Sequence, residues 1–164
     1  MSCLSLPQPP HSNCFSKIRL VATDIDGTLT TKSKFTNALL QALQDLAAAN
    51  INVIIVTGRS AGWVSGLAYY LPVVGAIAEN GGLFYPSQRE EAFAITPIQD
   101  LDQHRRDLAA VFQQIKRNFP QIKESEDNRF RLTDWTFDVA GLSSDIIKTL
   151  SHQCGELGWG FTYS

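Results

Sequence analysis

The chain has 164 residues, enough for about one and a half domains, and its 44% hydrophobic content is that of an ordinary globular protein. Its net charge is −2 and its longest basic run is Arg105–Arg106, so the sequence gives no electrostatic basis for binding nucleic acid. No apolar run reaches the length of a membrane span, and neither nucleic acid nor a membrane is expected as a partner.

The N-terminal segment, residues 1–17, is rich in Ser, Pro, Asn and Gln and is predicted to be a disordered leader. It lacks the basic start and the continuous apolar core of a signal peptide. Two of the three cysteines, Cys3 and Cys14, lie in this leader, and the third is Cys154. This distribution implies no disulfide framework, so we expect a reduced, cytoplasmic setting.

The first predicted strand, residues 18–23, leads directly into Asp24 and Asp26. Side chains alternate along an extended backbone, so both carboxylates can face the same side. Such a pair is costly unless a cation lies beside it, and Mg²⁺ favours hard oxygen ligands. Gly27 then allows a sharp turn, and Thr28 offers a hydroxyl to a carboxylate or to the backbone.

These two aspartates suit phosphoryl transfer. Asp24 is the candidate nucleophile, because a carboxylate can attack phosphorus and form an acyl phosphate. Asp26 is the candidate general acid and base, which would protonate the leaving alcohol and then activate water. The alternative is a pair of turn or helix-capping aspartates, but the full run from Asp24 to Thr28 after an apolar strand favours catalysis.

Helices and strands alternate in the next part of the chain, which predicts a parallel sheet covered on both faces. We expect Trp63, Val64, Leu67 and Tyr70 to form the apolar stripe of the second helix. The predicted elements are a helix at 36–50, a strand at 51–57, a helix at 60–71 and a strand at 73–78.

Polar residues follow the second and third strands, at the edge where such sheets bind ligands. Thr57 can donate its hydroxyl to a phosphate oxygen, Gly58 exposes its N–H, and the following helix N-terminus favours anions. In the alternative interpretation, Thr57 or Ser60 only caps that helix and Arg59 is solvated. Residues 79–82 most simply predict a tight turn with positive φ at Asn and Gly, and a substrate-facing Asn80 is the second choice.

The rest of the chain predicts a hairpin followed by a second α/β module. Its acidic run around Glu124, Glu126 and Asp127 fits a solvated loop better than a metal site. Its core is expected to include Trp135, Phe137, Trp159 and Phe161. The predicted elements are a hairpin of 83–85 with 92–96, a helix at 100–119, strands at 130–132 and 135–139 joined by a tight turn at 133–134, a helix at 143–157 and a further strand starting at 159–163.

The run from Asp24 to Thr30 closely resembles the first motif of the haloacid dehalogenase-like hydrolase superfamily, and Thr57-Gly58-Arg59 resembles its second. The turn at 79–82 is similar to that of the Cof-type, sugar-phosphatase-like subgroup, whose cap follows the third strand. The resemblance implies a Rossmann-like parallel sheet core at 18–96, present in part, and an incomplete α/β cap at 97–164.

The same resemblance implies a Mg²⁺-dependent phosphatase acting on a small phosphorylated metabolite, such as a sugar phosphate, through an aspartyl-phosphate intermediate. Asp24 and Asp26 would be the catalytic residues and would bind the metal, Asp26 through its backbone carbonyl. Thr57 would bind the transferring phosphoryl group. Gly58, Arg59 and Asn80 complete the predicted phosphate-binding set.

The resemblance also predicts a lysine and an acidic metal motif after the cap, and the sequence ends before such a region. We therefore expect the chain to be a fragment, a split gene product or a degenerate relative of the family. The alternative function is a non-catalytic phospho-ligand-binding or interaction module, completed by a partner chain or by homo-oligomerisation. A phosphotransferase or phosphomutase using the same aspartate is a third option.

Overall fold

A computed structural model describes residues 17–88 and 91–163, and all of the predicted leader except Lys17 lies outside these residues. The described residues contain seven strands, four α-helices and two short 3₁₀ helices, the latter at Glu79–Gly81 and Glu126–Phe130. The strands and α-helices are β1 (Leu20–Thr23), α1 (Asn37–Ala48), β2 (Asn52–Val56), α2 (Ala61–Tyr70), β3 (Gly75–Ala78), β4 (Leu83–Pro86), β5 (Phe93–Ala94), α3 (Leu101–Asn118), β6 (Lys123–Glu124), β7 (Phe137–Asp138) and α4 (Ser144–Glu156). None of the helices in these residues is both long enough and apolar enough to cross a membrane.

The main sheet has the order β1-β2-β3-β4-β5, which confirms the predicted α/β class. Its first three strands are parallel, and β4 and β5 form the predicted antiparallel hairpin. Thr23 lies opposite Ile55, and Val56 lies opposite Ile77. This register brings the carboxyl ends of the three parallel strands to one edge. Within the described residues β1 pairs with β2 alone, so it is an outer strand of the sheet.

Side-chain caps explain where three of the helices begin. Each capping side chain accepts a hydrogen bond from a backbone N–H three residues further on, one that the first helical turn leaves without a partner. The capping residues are Thr36 for α1, Asp100 for α3 and Ser143 for α4. These helix starts agree with the sequence predictions.

The apolar stripe predicted for α2 is wrong in part. Val64 is fully buried, but Trp63 is 41% exposed and Tyr70 is 83% exposed. The other buried positions of this helix are Ala61 and Ala68. The buried face of this helix is therefore formed mainly by small side chains, and these two larger aromatic side chains lie on its exposed side.

The described residues contain two apolar clusters. The first surrounds the main sheet, and the second joins α3 to α4 and to the aromatic side chains of β7 and the C-terminal segment. The first includes Ile25, Val53, Ile55, Val64 and Ala76, and the second includes Phe112, Ile115, Ile122, Leu150 and Cys154. Trp135, Phe137 and Phe161 pack against the second cluster as predicted, and the half-buried Trp159 lies 5.3 Å from the ring of His104.

The strands predicted at 130–132 and 159–163 are wrong. Phe130 ends a 3₁₀ helix, which Ser125 starts by accepting a hydrogen bond from the N–H of Asp127. Asn128 then bonds to both backbone groups of Thr136 and takes the place of a strand partner. The strand that does pair with β7 is β6, which the sequence pattern did not indicate. Residues 159–163 form no strand.

Candidate active site

The end of β1 presents two carboxylates on one side of the chain. Asp24 and Asp26 are exposed, whereas Ile25 between them is fully buried in the first cluster. Gly27 has a φ of 76° and makes the predicted turn. The hydroxyl that stabilises this turn belongs to Thr30 rather than Thr28: it accepts from the N–H of Gly27 and donates to the carbonyl of Ile25. The buried isoleucine and the closed turn together hold both aspartates at the edge of the sheet.

The loop that follows β2 has a backbone N–H that is available to donate a hydrogen bond to a ligand. Thr57 is buried, and its hydroxyl accepts a hydrogen bond from the N–H of Arg59 at 3.2 Å. Its own N–H donates to the carbonyl of Ile77, which fixes the loop to β3. No described residue accepts a hydrogen bond from the N–H of Gly58. A phosphate oxygen is a suitable acceptor for that N–H, since α2 begins just beyond it.

One cleft of about 490 Å³ joins these two strand ends to the third. Asp24, Thr57, Gly58 and Asn80 all line it, so the structure brings four of the predicted site residues together. A glycine at position 58 favours this closeness, because a Cβ there would make a tight contact of 3.0 Å with the side-chain oxygen of Asn80. The other lining residues are Val56, Ile77, Gly81 and Ile95.

Asp26 and Arg59 do not line this cleft but bind each other beside it. Two nitrogens of the guanidinium donate to the two carboxylate oxygens, each at 2.8 Å. The hydrogen bond from Arg59 holds the pKa of Asp26 below its ordinary value, and the same bond raises the pKa of Arg59. The guanidinium also lies 5.1 Å from the ring centre of Trp63. Contact of Arg59 with a phosphate therefore stays a prediction.

Glu79 is the residue of this region whose importance the sequence did not show. Glu79 is 3% exposed, and its carboxylate accepts hydrogen bonds from the N–H groups of Ala61, Leu132 and Thr133 and from the Thr133 hydroxyl. The bond to Ala61 places a carboxylate at the N-terminus of α2, where negative charge is stabilising. The partners on the second module are 53 and 54 residues away in the chain, so no local pattern reveals them.

The turn that carries Glu79 has an unusual backbone. Glu79 and Asn80 have φ values of 52° and 55°, and Gly81 has a φ of 103°. Positive φ was predicted for Asn and Gly, but not for a glutamate. The buried hydrogen bonds of the Glu79 carboxylate offset the cost of this conformation. As a result, Asn80 faces the cleft while the side chain before it is buried.

The same region contains some of the ligands that Mg²⁺ requires. The Asp24 carboxylate and the Asp26 backbone carbonyl accept no hydrogen bond from the N–H groups of the described residues. Mg²⁺ retains water and substrate oxygens and often takes only one or two carboxylates from a protein. The described residues hold no group of three or more His, Cys, Asp or Glu side chains that could bind a metal ion, the acidic run at Glu124 included. The donors at the end of β1 therefore fit part of a magnesium site.

Comparisons with known proteins show which family this sequence matches. The family model described as haloacid dehalogenase-like hydrolase matches residues 21–125. A phosphoglycolate phosphatase of Metallosphaera sedula is 31% identical over 137 residues, which is 80% of this chain and 56% of that protein. A phosphoglycolate phosphatase of Methanothrix thermoacetophila is 31% identical over 131 residues, or 77% of this chain and 53% of that protein. The chain thus spans about half the length of the curated relatives it matches.

A solved structure shows the same fold. A crystal structure of a Thermoplasma acidophilum protein superposes with a TM-score of 0.69 at 18% sequence identity. The match covers 90% of this chain and 61% of that one. The superposition therefore includes both the main sheet and the second module.

Proposed function

Because the chain belongs to the haloacid dehalogenase-like hydrolase family, we propose that it works as a Mg²⁺-dependent phosphatase on a small phosphate monoester. The observation that carries the proposal is the cleft itself. It is lined by a carboxylate, Asp24, and by two residues that can donate hydrogen bonds to a phosphate, Thr57 and Gly58. A phosphoryl group bound by these donors would lie within the cleft that the carboxylate also lines.

Asp24 would act as the nucleophile. Its carboxylate oxygen forms a bond to phosphorus while the bond from phosphorus to the ester oxygen breaks, and the product is an aspartyl phosphate. Asp26 gives a proton to the departing alkoxide and then takes one from the water that hydrolyses the intermediate. In the second step the water oxygen bonds to phosphorus while the bond from phosphorus to Asp24 breaks. This releases inorganic phosphate, restores the Asp24 carboxylate and leaves the proton on Asp26.

The ion pair between Asp26 and Arg59 has a defined place in this cycle. In the free protein it keeps Asp26 ionised, which is the form that accepts a proton from water. An incoming phosphate dianion offers Arg59 a second partner of matching geometry. Transfer of Arg59 to the phosphate frees Asp26 to take up, from solvent, the proton that the first step needs. The ion pair is thus compatible with phosphate binding by Arg59 and with acid–base catalysis by Asp26.

Magnesium would be held by the Asp24 carboxylate and the backbone carbonyl of Asp26, with the remaining ligands from water and substrate. When bound, it supplies positive charge that reduces the repulsion between the carboxylate and the phosphate oxygens. Thr57 and Gly58 orient those oxygens through hydrogen bonds, and the buried Thr57 keeps the loop close to β3.

The substrate is proposed from the relatives and from the size of the cleft. The relatives are named phosphoglycolate phosphatases, which makes phosphoglycolate the first compound to test. The cleft of about 490 Å³ is open and suits a small phosphate ester. A sugar phosphate is the second compound to test.

The test uses the full 164-residue chain with phosphoglycolate and with a generic aryl phosphate. We expect hydrolysis with Mg²⁺, none after chelation, and recovery when Mg²⁺ is added back. Asp45→Asn, an exposed carboxylate of α1, serves as the control for an Asp24→Asn variant. Metal-independent hydrolysis, or equal rates in the two variants, would contradict the proposed mechanism.

A second candidate function is a non-catalytic phospho-ligand-binding module completed by a partner chain or a second copy. The observation that favours it is the position of β1, which pairs on one side only within the described residues. The two functions differ in one measurement. A folded chain that binds inorganic phosphate and loses binding with Thr57→Val, yet hydrolyses no ester, would support this second function.

A further inference from the structure

Arg131 of the second module contacts the loop at residues 57–59 of the first module, which we call the phosphate loop. Its side chain is 6% exposed, and one nitrogen donates to the carbonyl of Gly58 at 3.0 Å. Asp127 and Asp134 hold the guanidinium from two sides, at 3.0 and 2.7 Å. An arginine paired in this way is almost fixed in place. The Gly58 carbonyl therefore has a rigid partner 73 residues away in the chain.

That carbonyl belongs to the peptide that follows Gly58. The N–H of the same peptide belongs to Arg59 and donates to the Thr57 hydroxyl. Because a peptide unit is planar, holding its carbonyl also sets the direction of its N–H. The contact from Arg131 thus acts on the hydrogen bond that orients Thr57, as well as on the backbone next to the free N–H of Gly58.

Arg131 is itself placed by Glu79. The buried Glu79 carboxylate accepts from the N–H groups of Leu132 and Thr133, the two residues after Arg131. Gly82 allows this docking, because a Cβ there would lie 1.8 Å from the Thr133 hydroxyl oxygen. Residues 131–134 are therefore packed against the turn that follows β3. Asn80 adds one bond, donating to Asp134 at 3.3 Å.

We propose that Glu79 and Arg131 are positioning residues that couple the second module to the phosphate loop at 57–59. Glu79 holds residues 131–134 against the sheet, and Arg131 then fixes the Gly58 carbonyl. The loop keeps its donor geometry only while the second module is docked. This proposal rests on the proposed function, because it treats Thr57 and Gly58 as phosphate ligands.

Amide hydrogen exchange, resolved residue by residue by NMR, tests the coupling without any need for turnover. In Arg131→Met we expect the amide of Arg59 to exchange about 10-fold faster than in the unaltered protein, since its hydrogen bond to Thr57 loses support. Arg131→Lys should give a smaller increase, because a lysine can reach one partner but cannot form the fork. Arg129→Met is the matched control: this arginine stacks on Phe130 and should leave the Arg59 amide unchanged.

The location of the change separates positioning from general destabilisation. Amides in the middle of α4 should keep their original rates in Arg131→Met. Faster exchange spread equally over α4, or an unchanged rate at Arg59, would overturn the proposal. If Arg131→Met does not fold, the amide exchange rates of Arg59 and of α4 are compared in Arg131→Lys instead, and the same outcomes decide the proposal.

A kinetic measurement adds a second readout. In Arg131→Lys we expect KM for the aryl phosphate to rise about 10-fold with kcat little changed, as for the loss of a contact that binds substrate and transition state alike. A fall in kcat alone would contradict the assigned role. Absence of hydrolysis by the unaltered chain would count against the proposed phosphatase, and the exchange rates would still decide the coupling.

Discussion

The guanidinium of Arg59 binds the carboxylate of Asp26 through two hydrogen bonds of 2.8 Å, although 33 residues separate them in the chain. The pair joins the loop after β1 to the start of α2. Two of the residues predicted to contact the substrate are thus partners of each other in the free protein. Exchange of this partner for a phosphate group is a central feature of the proposed mechanism.

Replacing Arg59 with Met should raise the pKa of Asp26 toward its ordinary value, because the hydrogen bond that lowers it is lost. The carboxyl carbon signal of Asp26, followed by NMR during an acid titration, measures this directly. An unchanged midpoint in Arg59→Met would show that the ion pair does not form in solution.

The same pair gives a small pH-dependent stability. A carboxylate whose pKa is lowered on folding stabilises the protein above its unfolded pKa of about 3.9, and this contribution is lost as the pH falls through the folded pKa. Both side chains are about half exposed, so we expect less than about 1 kcal/mol at neutral pH. Urea unfolding should show a difference between the parent and Arg59→Met at pH 7 that shrinks at pH 3.

Asp24→Asn should reduce turnover by about 10³-fold or more, because it removes the proposed nucleophile and a proposed metal ligand together. Initial rates with a saturating aryl phosphate and Mg²⁺ provide the measurement. Asp45→Asn should match the unaltered protein. Full activity in Asp24→Asn would exclude Asp24 as the nucleophile.

Gly82→Ala should destabilise the protein by about 1–3 kcal/mol, because the new Cβ would overlap the Thr133 side chain. The φ of Gly82 is −72°, so the cost is steric and not a matter of backbone strain. Urea denaturation gives the free energy of unfolding. The matched control is Gly66→Ala in α2, where an added Cβ meets nothing within 4 Å and should be neutral or stabilising.

Glu79→Gln should cost about 2 kcal/mol of stability, since hydrogen bonds from Leu132 and Thr133 to a charged acceptor are lost or weakened. The amide nitrogen of glutamine also cannot accept the bonds that a carboxylate oxygen accepts. Chemical unfolding measures the change, with the exposed Glu156→Gln as control. Equal stability in the two variants would mean that Glu79 contributes little to the docking of residues 131–134.

Local patterns were enough to predict the parts of this fold that depend on local interactions. The helices predicted from residues 36, 100 and 143 begin at the capping side chains Thr36, Asp100 and Ser143, each of which bonds within one turn of itself. The convergence of Asp24 and Thr57 at one cleft followed from parallel strand order.

What the sequence did not reveal depends on distant partners. Glu79 looked like part of a turn, because its acceptor role exists only once residues 132 and 133 fold against it. Arg131 fell inside a predicted strand, whereas its buried ion pairs with Asp127 and Asp134 draw the backbone into a different path. Trp63 is exposed because the buried face of α2 is formed by Ala61, Val64 and Ala68, whereas the sequence prediction followed the spacing of the large apolar residues.

The outer position of β1 affects the order in which the strands of the sheet would unfold on heating. The strand that supports Asp24 has a lateral partner on one side in the described residues, whereas β2, which leads to Thr57, has one on each side. On mild heating, β1 is therefore expected to open before β2. The proposed chemistry would then be lost while most of the sheet survives.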